Sequence, residues 1–186
     1  VVLFIVLNWL FADGMFGMPL WNAEEWVSSP VITYLMIALI IVAGWRQAGA
    51  VLTAAALLGI AAKTTELAVA YAGQREQFGK PIGSFQAVKH LCADMLTRAE
   101  LARGVVYAAG VTLDGRGVDD PDRMVAAAKI TAGDAAKANG KACIQVHGGM
   151  GFTAEVDAHL YLKRAIVLDT WFGSVDTHSE AVAITL

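Results

Sequence analysis

Two short stretches of this chain combine the residue types that meet a phosphate-bearing cofactor. The first is Tyr71-Ala-Gly-Gln-Arg-Glu-Gln-Phe-Gly-Lys-Pro-Ile-Gly-Ser-Phe-Gln86, and the second is Gln145-Val-His-Gly-Gly-Met-Gly-Phe152. In each, a charged or amide side chain stands beside glycines between two helical patterns. An arginine such as Arg75 can fork onto a diphosphate, and glycine lets backbone N–H groups approach closely. Alone, the first stretch reads better as a helix end, with Arg75 and Glu76 as ordinary terminal charges and Gly79-Lys-Pro81 as a plain turn. The second stretch, with Gln145 placed 70 residues after Arg75, moves the reading to a cofactor.

Other chemistry-bearing residues are scattered. His147 lies in a glycine turn, where a histidine more often bonds backbone than reacts. His90, His159 and His178 stand singly and form no metal-ligand spacing with each other or with the cysteines, so no metal site is expected. Cys92 and Cys143 each fall in a helical apolar pattern and read as small hydrophobes. Two cysteines with no framework suggest a reducing compartment, hence a cytoplasmic location.

The elements that must position the two stretches are helical. From Gln47 to Ala72, Leu57, Ile60, Thr64, Leu67 and Tyr71 recur at three- and four-residue steps. A second helix is expected from Ser84, its N-cap, to Leu113, with Val88, Leu91, Met95, Leu101, Val105 and Val106 on the apolar side. Asp114-Gly-Arg-Gly117 closes it, and Asp120-Pro121 opens a third, with proline at the first helical position. That helix runs to about Val146 on closely spaced alanines. Lys129, Asp134, Lys137 and Lys141 read as its solvated or subunit-facing side. A fourth spans Glu155 to Asp169, with Leu160, Leu162, Ile166 and Leu168 apolar. No β-alternation follows Gln47. The fold expected is all-α, an antiparallel helical bundle.

From about Gln47 to about Ala183 the two motifs and their order resemble the C-terminal helical domain of the acyl-CoA dehydrogenases. Members are flavoenzymes that remove two hydrogens from the α and β carbons of an acyl-CoA thioester and pass electrons to an electron-transfer flavoprotein. They are usually tetramers in which FAD lies across a subunit boundary. The resemblance implies that Arg75 meets the FAD diphosphate of a neighbouring subunit and Phe78 its adenosine side. It implies that Gln86 touches the adenine end, and that Gln145 with the Gly148-Gly149 backbone contacts the same cofactor.

The chain departs from the family where the α-proton is removed. Most members carry a glutamate just before a Gly-Thr or Gly-Ser near the end of the domain. Aligned on Gly173-Ser174, that position is Phe172, whose ring accepts no proton. Other members place the base on the first helix, ten residues before the glycine matching Gly59; here that position is Gly49, followed by Ala50. Asp169 and Asp176 flank residue 172, but helical spacing turns each to a different face. No catalytic residue is assigned. The resemblance thus implies a subunit, in a homo- or hetero-oligomer, that holds flavin for a partner. The competing class is a non-catalytic helical scaffold or membrane-anchored subunit of a larger complex.

Residues 1–45 do not resemble the family, so the division expected is 1–45 and 46–186. Val1 to Ala12 is nearly all apolar, and no charge occurs between Glu25 and Arg46. Val31 to Ala43 is shorter than the ~20 residues that cross a bilayer, unless Trp26 to Trp45 is counted whole. Tryptophans at both borders and Arg46 just outside suit a membrane segment. A membrane segment or hairpin, a buried extension packed on a partner, and a fragment or composite chain all remain open readings. A signal peptide is disfavoured because no basic residue precedes the apolar run. The net charge of −3 and the lack of a basic stripe argue against nucleic acid.

Overall fold

A computed structural model describes residues 30–117 and 120–184. The Val1 to Ala12 stretch, and all positions up to Ser29 including Trp26, lie outside the described residues. The described residues form five α-helices and one two-residue hairpin. Helix α1 is Pro30–Gln74, with proline at its first position, where the missing N–H costs nothing. Strands β1 (Glu76–Gln77) and β2 (Lys80–Pro81) pair antiparallel around a two-residue turn. Both turn residues, Phe78 and Gly79, have positive φ (55° and 77°), the geometry of a tight hairpin that usually excludes a side chain as large as Phe78. A 3-10 turn over Ile82–Ser84 leads into α2, Gln86–Leu113.

Ser84 is not the N-cap of α2. That place falls to Phe85, whose backbone is extended and whose side chain caps nothing. Tertiary packing overrides the local signal, because Gly83 presses on the carbonyl of Ala72, where a Cβ would come within 2.9 Å. Helix α3, Pro121–His147, starts as its sequence predicts. Asp120 accepts from the Arg123 N–H at 3.0 Å, with Pro121 next to it. Helix α4 begins at Ala158 rather than Glu155 and ends at Asp169; α5 is Val175–Ile184.

Residues Arg46–Leu186 form a compact unit. Within it, side-chain contacts fix the chain directions. Asn139 on α3 reaches Ala61 on α1 and Met95 on α2, while Tyr71 stacks on His147. Helices α1 and α3 therefore run parallel, with α2 antiparallel to both. Lys129 meets Leu168 and Gly140 meets Leu162, so α4 runs back along α3. This is the antiparallel bundle that the helical periodicity implies.

The core is built from small side chains. Ala54, Leu57, Ala61, Ala99, Ala102, Ala128, Ala132, Ala136 and Ala165 form one continuous cluster. Two of the expected apolar stripes are shifted: Leu101, Leu160 and Ile166 are exposed, and alanines take the buried positions beside them. With few large apolar groups, polar residues complete the interior. The fully buried Asn139 amide donates to Met95 O (2.8 Å), Thr65 Oγ1 (3.2 Å) and Ala61 O (3.3 Å), and its oxygen accepts from Arg98 (3.2 Å). Replacing Asn139 by Leu removes all four bonds at once and leaves the Arg98 guanidinium without its acceptor. We expect a loss of about 1–3 kcal/mol in urea-monitored unfolding, with an unchanged denaturant slope.

Candidate functional site

The two cofactor-type stretches meet at one end of the bundle. Tyr71, in the last turn of α1, stacks on His147, the last residue of α3, with ring centroids 4.2 Å apart. His147 is buried, and its Nδ1–H donates to the Cys143 carbonyl at 2.8 Å. The histidine therefore serves packing rather than reaction, and it ties Arg75 and Gly148 to a common edge.

Around this tie the expected cofactor residues face outward. Arg75 is exposed, while its backbone is held by bonds from its N–H to Tyr71 O and to its carbonyl from the Ile82 N–H, both 2.8 Å. Phe78 projects from the hairpin tip with 91% of its surface exposed, and meets Phe85 edge-on at 6.1 Å. Lys80 covers the Phe85 ring at 4.4 Å. Gln86 opens α2 and Gln145 sits near the end of α3, both exposed. Gly148 has φ 61°, and a Cβ at Gly148 or Gly149 would meet nothing within 4 Å, so another molecule can approach the backbone there. The Gly148 N–H itself is used by Gln145 O. A cation, two amides, an open glycine turn and a flat aromatic suit a diphosphate with an attached nucleoside.

A different group of residues gathers around the α4–α5 connection. Phe172 also has a positive φ of 55° and is followed by Gly173 at 102°. Its ring lies against Gly49 on α1 so closely that a Cβ at Gly49 would collide with it. The two positions that the resemblance marks for a base, 172 and 49, are thus in contact, and neither bears an acid.

The neighbouring acids are committed or turned away. Asp169 is largely buried, with Oδ2 on Lys137 Nζ at 3.1 Å and Oδ1 4.0 Å from Lys129 Nζ. Asp176 is exposed in the first turn of α5. His178 Nε2–H donates to the Phe172 carbonyl at 3.1 Å. Burial lowers the His178 pKa, opposed by that bond.

Lys129 corrects the expectation of a solvated face on α3. It is fully buried and donates to the carbonyls of Asp169 (2.8 Å) and Leu168 (3.4 Å), satisfying the end of α4. Burial lowers its pKa, and Asp169 opposes the shift. The sequence signal for this role is its spacing: Lys129 shares a helical face with Ala132, Ala136 and Gly140. Among the described residues no cluster of His, Cys, Asp or Glu could hold a metal. Cys143 is buried and its thiol is pushed up to about 11 by burial, which leaves it inert.

Residues 46–186 match the family model "Acyl-CoA dehydrogenase, C-terminal domain". The chain belongs to the acyl-CoA dehydrogenase family. It is 52% identical over 138 residues to the acyl-CoA dehydrogenase FadE34 of Mycobacterium tuberculosis, a match covering 73% of this chain and 19% of that protein. The butyryl-CoA dehydrogenase of Megasphaera elsdenii superposes with a TM-score of 0.70 at 30% identity, over 76% of this chain and 37% of that one. An FAD complex of PigA superposes with a TM-score of 0.66 at 30% identity, over 71% of this chain and 34% of that one. The chain thus spans about a fifth to two fifths of the proteins it matches.

The contact between positions 49 and 172 is testable without any ligand. Gly49→Ala improves helix propensity but drives a methyl into the Phe172 ring, and we expect a net destabilisation of about 1–3 kcal/mol. Adding Phe172→Ala should reverse the sign of the position-49 effect, giving a coupling above about 1 kcal/mol in a double-mutant cycle. Additive single effects would show that the two residues do not interact.

Proposed function

We propose that this chain is part of an FAD-dependent acyl-CoA dehydrogenase and lends its flavin contacts to a partner subunit, with no catalytic base of its own. The observation that carries this reading is the distance between the two groups of residues. Gly49 and Tyr71 lie 22 positions apart on one continuous helix, about 33 Å at 1.5 Å per residue. That separation between the edge bearing Arg75, Phe78, Gln86, Gln145 and Gly149 and the place occupied by Phe172 supports a reading in which the edge serves a neighbouring subunit's flavin.

FAD, when bound, supplies the hydride acceptor for oxidation between the α and β carbons of an acyl-CoA. This chain's own part is to bind and orient. The Arg75 guanidinium neutralises the diphosphate, the Gln86 and Gln145 amides satisfy polar edges of the nucleotide, and Phe78 offers its ring to the adenosine side. At the other end the requirement for a base goes unmet. Phe172 has no lone pair to offer, Gly49 has no side chain, and Asp169 is held between two lysines. An active partner subunit would supply the acid–base step, with electrons leaving to an electron-transfer flavoprotein.

The test is the flavin absorbance of the full chain, purified alone and with a co-expressed acyl-CoA dehydrogenase subunit. Flavin is expected only with the partner. Within that complex, Arg75→Ala should weaken flavin retention by roughly 10- to 150-fold, the loss of a charge-assisted contact worth about 1.5–3 kcal/mol. Reduction of flavin by a saturated acyl-CoA with this chain alone would refute the absence of a base. No flavin in either preparation would leave the bundle as a non-catalytic scaffold.

A further inference from the structure

The character of α1 changes at Arg46. Beyond it the helix buries one side, through Ala50, Ala54, Leu57, Ala61, Ala68 and Ala72, as a bundle helix must. Before it, every residue from Tyr34 to Trp45 is exposed, although Tyr34-Leu-Met-Ile-Ala-Leu-Ile-Ile-Val-Ala-Gly-Trp45 contains no polar side-chain group except the tyrosine hydroxyl and the tryptophan N–H. Tyr34 and Trp45 are each 71% exposed, Ile40 66% and Ile41 64%. Twelve consecutive residues make more than three turns, so apolar groups point in every direction around the axis.

That distribution selects the partner. A helix docking on protein needs one apolar stripe and keeps its far side polar. A helix apolar all round needs surroundings that are apolar on all sides, which the interior of a large protein or a hydrocarbon layer provides, and the uncharged stretch with its aromatic borders favours the second. The charge pattern agrees. Twenty residues from Trp26 to Trp45 carry no charge, flanked by Glu24 and Glu25 on one side and Arg46 on the other. As a sequence, that uncharged stretch is about the ~20 residues that cross a hydrocarbon layer, with a tryptophan at each of its borders; the described helix supplies its last 16 residues, Pro30 to Trp45. Pro30, the first helical residue, lies near one end, where it breaks no hydrogen bond.

We propose that the segment ending at Trp45 inserts into a lipid bilayer and anchors the chain there, with Trp45 and Arg46 at the headgroup level. The anchor is independent of the flavin role, since none of its residues belongs to the cofactor edge.

The experiment uses the full chain, purified in mild detergent and reconstituted with vesicles of phosphatidylcholine and phosphatidylglycerol (4:1). Flotation on a density gradient is read in 1 M NaCl and after alkaline carbonate, alongside Trp fluorescence quenching by brominated lipid. We expect the chain to float under both washes. The double variant Leu39→Arg/Ile40→Arg should lose flotation by about tenfold while keeping the helical circular dichroism of the bundle. The proposal is overturned if the wild-type chain stays at the bottom or is stripped by salt, or if the variant floats equally well. It is also overturned if co-expression with a dehydrogenase subunit yields a detergent-free soluble complex that ignores the vesicles, for then protein covers the segment.

Discussion

The bundle depends on one buried amide. Its helices are lined with alanines, which let the axes approach but specify little about register, since one alanine fits against another at many offsets. Asn139 removes that freedom. Its four hydrogen bonds engage α1 through Ala61 and Thr65 and α2 through Met95 and Arg98, and each would be lost by a slip of one turn. A buried amide is costly unless fully paired, so the registry that pairs it is selected over its neighbours. The Tyr71–His147 stack, which brings the Arg75 and Gly148 stretches to one end of the bundle, is a consequence of that registry.

Lys129 does for α4 what Asn139 does for the first three helices. It brings a charge into the interior and spends it on the last carbonyls of α4 and the vicinity of Asp169. The connection that follows, Thr170 to Ser174, is thereby fixed at its start and, through His178 and the Phe172 carbonyl, near its middle. The positive φ of Phe172 is held by bonds on both sides of it.

Much of this was legible in the residues. The Pro121 start of α3 with its Asp120 cap and the α1 stripe from Leu57 to Tyr71 follow from local chemistry. What escaped was set by distant contacts. Ser84 looks like a cap until Gly83 has to pass beneath the Ala72 carbonyl. Lys129 looks solvated until the end of α4 arrives needing donors. Leu101, Leu160 and Ile166 look buried because a leucine outranks an alanine on any hydropathy scale, yet close helix approach reverses the choice. The contact of Phe172 with Gly49 joins residues 123 positions apart, and no local pattern reveals it.

That contact also constrains the order in which this chain could change. While the Phe172 ring stands where it does, no side chain can be placed at residue 49 without collision. Exchange of Phe172 for a smaller acid would instead leave a gap over Gly49. The two positions are sterically exclusive: an acid on the first helix at residue 49 requires that the Phe172 ring leave first.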